Sequence, residues 1–104
     1  MEKVRRLGNL LKEDGKVLIV AMDHGTNAGA PAGLVNPAEA IKKVKAGGAD
    51  AVIVNYGIAR QYAKELVGLG LILRMDIAPT MLGKGHASTL IYGIKEALQL
   101  GADA

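Results

Sequence analysis

The stretch that decides the fold is KAGGADAVIVNYG, residues 45–57. Gly47-Gly48 ends whatever precedes it, and Ala51-Val52-Ile53-Val54 then runs apolar, without alternation, up to Asn55. A glycine-closed segment followed at once by an uninterrupted apolar run is the pattern of a helix leading into a buried parallel strand. The ending, LQLGADA (residues 98–104), repeats the junction, with Gly101-Ala102-Asp103-Ala104 copying Gly48-Ala49-Asp50-Ala51. The first copy is followed by its strand, whereas the second stands where a strand would begin. The sequence therefore reads as breaking off before a fourth strand. The alternative is a complete three-stranded α/β domain, which would leave two long bare sheet edges for its size.

Working outward, the same grammar recurs. Residues 17–22, Val-Leu-Ile-Val-Ala-Met, form a second unbroken apolar run, expected as a strand buried on both faces. Val4, Leu7, Leu10 and Leu11 fall at helical spacing over residues 1–13, and Gly15 closes that segment. Asn36-Pro37 carries a capping side chain and a first-turn proline, and the helix it opens, bearing Ala40, Ile41 and Val44, stops at Gly47-Gly48. Residues 57–67 place Ile58, Tyr62 and Leu66 on one helical face before Gly68, and Leu71 to Asp76 reads as the third strand. A final helix runs from Ile94 to Leu100, entered through an extended Thr89–Tyr92. One helix followed by three strand–helix units is an α/β arrangement with a parallel sheet.

Composition excludes several classes. Half of the 104 residues are hydrophobic, yet Tyr56, Tyr62 and Tyr92 are the only aromatics, and 14 glycines punctuate the chain. That suits helices packed on a sheet rather than disorder. Without cysteine there is no disulfide framework and no thiolate metal site, which favours a cytoplasmic protein. The net charge of +3 arises from thirteen basic residues scattered among ten acidic ones, so no nucleic-acid surface is indicated. No leader opens the chain, and no apolar run approaches the ~18 residues of a membrane span, so no membrane partner is expected.

Polar residues terminate each strand. Asp23-His24-Gly25 follows the first and Asn55-Tyr56-Gly57 the second, while the third contains Arg74 and Asp76. Functional groups of parallel sheets gather at these carboxyl ends. Strand parity groups Val17, Ile19, Ala21 and Asp23; Ala51, Ile53 and Asn55; and Ile72, Arg74 and Asp76. If those faces converge, Asp23, Asn55 and either Arg74 or Asp76 meet above an apolar floor. Burial makes a carboxylate a better base there, and a neighbouring Arg74 would keep it ionised. The plainer alternatives are that Asp23 caps its own loop, or that Arg74 and Asp76 pair with each other. His24 has the opposite parity and reads as a packing residue or a substrate contact. Gly25, Gly29 and Gly33 surround Thr26 and Asn27 in a loop whose N–H groups could hold an anion.

Other motifs fail on context. MLGKGHAST lacks the Ser or Thr that must follow Gly-Lys in a phosphate loop, because Gly85 follows Lys84. The GLG at residues 68–70 precedes a strand, not a helix. His24 and His86 have no metal-ligand spacing. No metal and no cofactor are expected.

VLIVAMDHGTNAGAPAGLVNP (residues 17–37), together with AGGADAVIVNYGIAR and IKEALQLGADA, resembles the archaeal-type class I aldolases. That group includes fructose-bisphosphate aldolase and aminodideoxyheptulosonate synthase. The likeness runs the length of the chain, with Asp-His-Gly and its glycine loop its most specific part. It implies a (β/α)8 TIM barrel of roughly 250 residues, of which residues 1–104 match the first three strand–helix units of a single domain. It further implies a lyase that joins a lysine to a ketose phosphate as a Schiff base, with a tyrosine for proton transfer. Those elements and the main phosphate site would lie beyond Ala104. By resemblance Asp23 is the acid–base aspartate, and His24, Gly25, Thr26 and Asn27 form the first substrate-contacting loop; Asn55 and Arg74, at the ends of the neighbouring strands, are expected to bind substrate as well. One departure bears on the substrate: Ala28 stands where fructose-bisphosphate members usually carry a second histidine.

The lysines agree with that division. A Schiff-base lysine needs a desolvated site. Lys16 lies at the amino end of the first strand, Lys42, Lys43, Lys45, Lys64 and Lys95 fall on predicted helices, and Lys84 is in a glycine loop. The chain by itself is expected to be inactive. A rival reading is a non-catalytic assembly module whose sheet edges associate, and a homo-oligomer is expected. A stand-alone phosphate-binding domain is a third.

Overall fold

The computed structural model describes residues 4–26, 29–77 and 89–104. Helix α1 (Val4–Leu10) precedes β1 (Ile19–Ala21), α2 (Pro37–Ala46), β2 (Ala51–Val54), α3 (Tyr56–Gln61) and β3 (Gly70–Leu73). A short antiparallel ladder of β4 (Asp76–Ile77) and β5 (Thr89–Leu90) then leads to α4 (Ile94–Gln99). The main sheet is parallel in the order β1-β2-β3, with Ala21 opposite Ile53 and Ile53 opposite Ile72. The repeated strand–helix grammar is therefore present.

The glycine-closed junctions explain why. Gly48 and Gly101 adopt φ of +88° and +75°, a conformation that costs glycine alone nothing. At each, the next amide reaches back into the helix, Ala49 N to Val44 O and Ala102 N to Ala97 O. The aspartate that follows clamps the strand before it: Asp50 Oδ2 accepts from Leu18 N at 2.7 Å, and Asp103 Oδ2 from Leu71 N at 2.9 Å. Ala51 N and Ala104 N then donate to Leu18 O and Leu71 O, so Ala104 sits beside β3 as Ala51 sits beside β1.

One face of the sheet holds the core. Met22, Val52, Val54, Leu71 and Leu73 pack there on Ile41, Ala59, Leu66 and Ala102, and Ile41, Val52 and Val54 are wholly buried. The opposite face carries Ile19, 40 % exposed, with Ala21, Ile53 and Ile72. The expectation that strand 17–22 is buried on both faces is corrected: α2, α3 and α4 contribute their core residues to one side only. At the amino end α1 plugs the other face. A Cβ at Gly70 would lie 2.5 Å from Leu10 Cδ2 and 2.8 Å from Asn9 O, so only glycine lets Leu10 close over the sheet.

Three boundaries differ from expectation. The third strand leaves the sheet after Leu73, and Asp76 pairs antiparallel with Leu90 instead of continuing it. The helix expected over 57–67 ends at Gln61, although hydrogen-bonded turns keep Ile58, Tyr62 and Leu66 against the core. The first helix is shorter than 1–13. Asn36 caps α2 as expected, accepting from Glu39 N at 3.3 Å. Among the described residues no helix is long and apolar enough to cross a membrane.

Candidate functional site

The register carries each strand's terminal polar residue to one row. Ile53 stands between Ala21 and Ile72, and two residues further along stand Asp23, Asn55 and Arg74. The ladder continues past the strands, Met22 N donating to Ile53 O and Arg74 N to Val54 O. Asn55 Nδ2 donates to the Asp23 carbonyl at 3.2 Å. Arg74 Nη1 donates to Asp23 Oδ2 at 2.8 Å and Arg74 Nε to Asp76 Oδ1 at 3.0 Å. The side chains of Arg74 and Asp23 are 24 % and 16 % exposed, which leaves them shielded yet reachable from the rim.

The residues that parity grouped thus converge, and Arg74 takes both carboxylates. Hydrogen bonding to Asp23, then to Asp76, raises the guanidinium above its already high ordinary value, so Arg74 is charged at every working pH. The alternative in which Arg74 and Asp76 pair is correct as far as it goes. Among the described residues the partner of the Asp23 carboxylate is Arg74, not the N–H groups of its own loop.

The loop beyond Asp23 is open. His24, Gly25 and Thr26 form one 3₁₀ turn, with His24 and Gly25 exposed. The packing role considered for His24 is thereby corrected, because the turn carries it away from the core. Asn27, Lys84 and His86 lie outside the described residues. Met22, Gly25, Leu34, Pro37, Asn55 and Ile58, with Ala30, line a cavity of about 90 Å³. That holds at most a few waters, so a sugar-sized ligand would occupy the rim and not this cavity. A larger hollow, lined by Arg5, Arg6, Asn9, Gly101 and Asp103, lies at the amino end, the wrong end of a parallel sheet for chemistry. Among the described residues no cluster of His, Asp and Glu could hold a metal ion.

Sequence reasoning missed one feature of the rim. Tyr56, the first residue of α3, stacks on Tyr92 ahead of α4, with ring centroids 4.4 Å apart and planes 12° from parallel. Met75 O accepts from both Ile91 N and Tyr92 N, which brings Tyr92 back to the sheet. Only the scarcity of aromatics hinted at it.

An acid, an amide and a doubly bridged arginine thus gather at the carboxyl ends of a parallel sheet, where α/β folds carry their functional groups. Residues 17–104 match the model of the DeoC/LacD family of aldolases. The chain is 37 % identical over 103 residues to 2-amino-3,7-dideoxy-D-threo-hept-6-ulosonate synthase of Halobacterium salinarum, covering 98 % of this chain and 38 % of that one. An archaeal fructose 1,6-bisphosphate aldolase superposes with a TM-score of 0.78 at 28 % identity, covering 96 % of this chain and 41 % of that one. A further structure of an archaeal fructose-1,6-bisphosphate aldolase, with the catalytic lysine covalently bound to the carbinolamine intermediate of its substrate, gives a TM-score of 0.74 at 31 % identity and the same coverage.

The chain belongs to the DeoC/LacD aldolase family. Its fold is that of parallel (β/α) units of the aldolase barrel, and it spans about two fifths of the length of these relatives.

Proposed function

We propose that residues 1–104 are the amino-terminal part of one (β/α)8 barrel, and that the complete protein is a class I, Schiff-base aldolase acting on a phosphorylated sugar such as fructose 1,6-bisphosphate. In this reading Asp23 shuttles protons during carbon–carbon bond making or breaking. His24 to Asn27, with Asn55, help to seat the substrate. The observation that carries the reading is the convergence of Asp23, Asn55 and Arg74 at the carboxyl ends of three parallel strands. Hydrogen bonds from Ala104 to Leu71 and from Leu73 to Ala104 support a fourth strand beside β3.

The Schiff-base lysine would follow Ala104. Among the described residues no lysine stands at a strand's carboxyl end: Lys45, for example, is spent on Glu65 O and Val67 O. A cytoplasmic enzyme that assembles as a homo-oligomer completes the proposal. A transaldolase-type synthase, such as the aminodideoxyheptulosonate enzyme, is the alternative substrate reading, supported by the 37 % identity to the halobacterial relative and by Ala28 in place of a histidine.

The test is to make the chain alone and also in place of the matched segment of the halobacterial synthase. Both are then assayed for carbon–carbon lyase and transfer activity on sugar phosphates. Activity is expected only in the completed barrel, and lyase turnover by the isolated chain would overturn the division of labour. A non-catalytic assembly module is the second reading, favoured by the open Ile19 face and by Ile94, 73 % exposed. Light scattering separates the two, because a monomeric chain excludes the module.

A further inference from the structure

We propose that Arg74 is a positioning residue for Asp23 and not a ligand of the sugar phosphate. This rests on the acid–base reading of Asp23. An arginine at a substrate rim is ordinarily taken for a phosphate binder, since its planar fork matches two oxygens. Here two edges of the fork are already engaged. Nη1 donates to Asp23 Oδ2 at 2.8 Å and Nε to Asp76 Oδ1 at 3.0 Å. With Nε and Nη1 each taken by a carboxylate, neither two-nitrogen edge of the guanidinium is wholly free for a bidentate grip on a phosphate.

The three residues also come from different places. Asp23 follows β1, Arg74 follows β3, and Asp76 opens β4, beyond the point where the chain leaves the parallel sheet. Asp76 therefore fixes the guanidinium plane from one side while Asp23 is aimed from the other, with Asn55 holding the Asp23 carbonyl. A lysine would supply the charge but not the two-sided geometry. The departure of the third strand after Leu73 gains a purpose: it brings Asp76 round to the Nε edge of Arg74. Among the described residues Arg74 bonds the Asp23 carboxylate and the Asn55 amide its carbonyl.

Two measurements test this. In ¹⁵N spectra of the chain, Arg74 Nε–H is expected to exchange slowly and its Nη signals to be resolved, both effects weakening in Asp23→Asn and in Asp76→Asn. Averaged, fast-exchanging Arg74 signals in the unaltered chain would overturn the bridge. In the completed barrel, Arg74→Gln is expected to lower kcat roughly 10²-fold, the cost of a misplaced catalytic group, with KM nearly unchanged. Arg74→Lys should recover only part of the loss, and Arg74→Gln should cost nothing further once Asp23 is Asn. A raised KM with kcat kept, or losses that add to those of Asp23→Asn, would show a substrate ligand and overturn this inference alone. Full activity in Asp23→Asn would overturn the acid–base reading as well.

Discussion

The two ends of the sheet are built from different kinds of bond. At the amino end, the contacts are repeated and mostly backbone. Asp50 accepts from Leu18 N, just before β1, and Asp103 from Leu71 N, the second residue of β3, each after a left-handed glycine and a closed helix. At the carboxyl end, the contacts are unique and carried by side chains, linking Asp23 to Arg74 across 51 positions. The amino end sets strand order and register, and the carboxyl end uses that register to assemble charge. Stability and chemistry are therefore separable along the strand axis, as in barrel enzymes generally.

If that separation holds, the largest effect of any single change is on turnover, not folding. Asp23→Asn in the completed barrel is expected to lower kcat by ~10²–10⁴-fold, the usual worth of a positioned acid or base. Its melting temperature should fall little, since Asn55 still holds the residue 23 carbonyl, Arg74 keeps Asp76, and an ion pair open to the rim contributes only about 1 kcal/mol. A collapse of the fold in that variant would break the comparison. At the other end, Gly70→Ala should leave the chemistry untouched and destabilise by ~1–3 kcal/mol through overpacking against Leu10 and Asn9. Urea denaturation measures this, and an unchanged midpoint would refute the role given to α1.

Asp50→Ala and Asp103→Ala sharpen the comparison further. Each strips a backbone amide of its acceptor, so each should cost ~1–3 kcal/mol, and the two losses should match to within the spread of such measurements. Clearly unequal losses would mean that the twin junctions are alike only in sequence. The smallest effect concerns pH. Glu96 Oε2 accepts from Gly93 N at 2.9 Å, and hydrogen bonds from its own amide and from that of Gly93 hold its carboxyl below the usual range. A depressed carboxyl contributes above its unfolded value, and that contribution is lost as pH falls through the folded one. Acid should therefore loosen the start of α4, read by amide exchange at Ile94–Ala97, and Glu96→Gln should remove that acid sensitivity. Arg74 gives the opposite sign: its raised value keeps its contribution intact until strongly alkaline pH, so the rim bridge should not change between pH 6 and 9.

The convergence at the rim was legible because two simple periodicities combine. Parity along a strand puts Asp23, Asn55 and Arg74 on the same side as Ala21, Ile53 and Ile72, and the parallel register sets those rows level. The same argument grouped Asp76 with Arg74, and the two do pair, but it missed that Asp76 opens a separate antiparallel ladder. Parity assumes that the strand goes on, and nothing in Arg-Met-Asp-Ile announces a departure that depends on pairing with Thr89 and Leu90, more than ten residues away. His24 and the Tyr56–Tyr92 stack failed for the same reason, since a turn's direction and a long-range ring contact have no local code.

By itself, the sequence determined the helix–glycine–strand order, the capped start of α2, the twin junctions and the chain's membership of a barrel family. These depend on neighbours within a few residues, where glycine's backbone freedom and the spacing of apolar residues leave little choice. Only the tertiary structure decided that Arg74 is shared between two carboxylates, that the described helices α2, α3 and α4 pack on one sheet face, and that Gly70 makes room for Leu10. Each of these is set by which distant groups compete for the same small space.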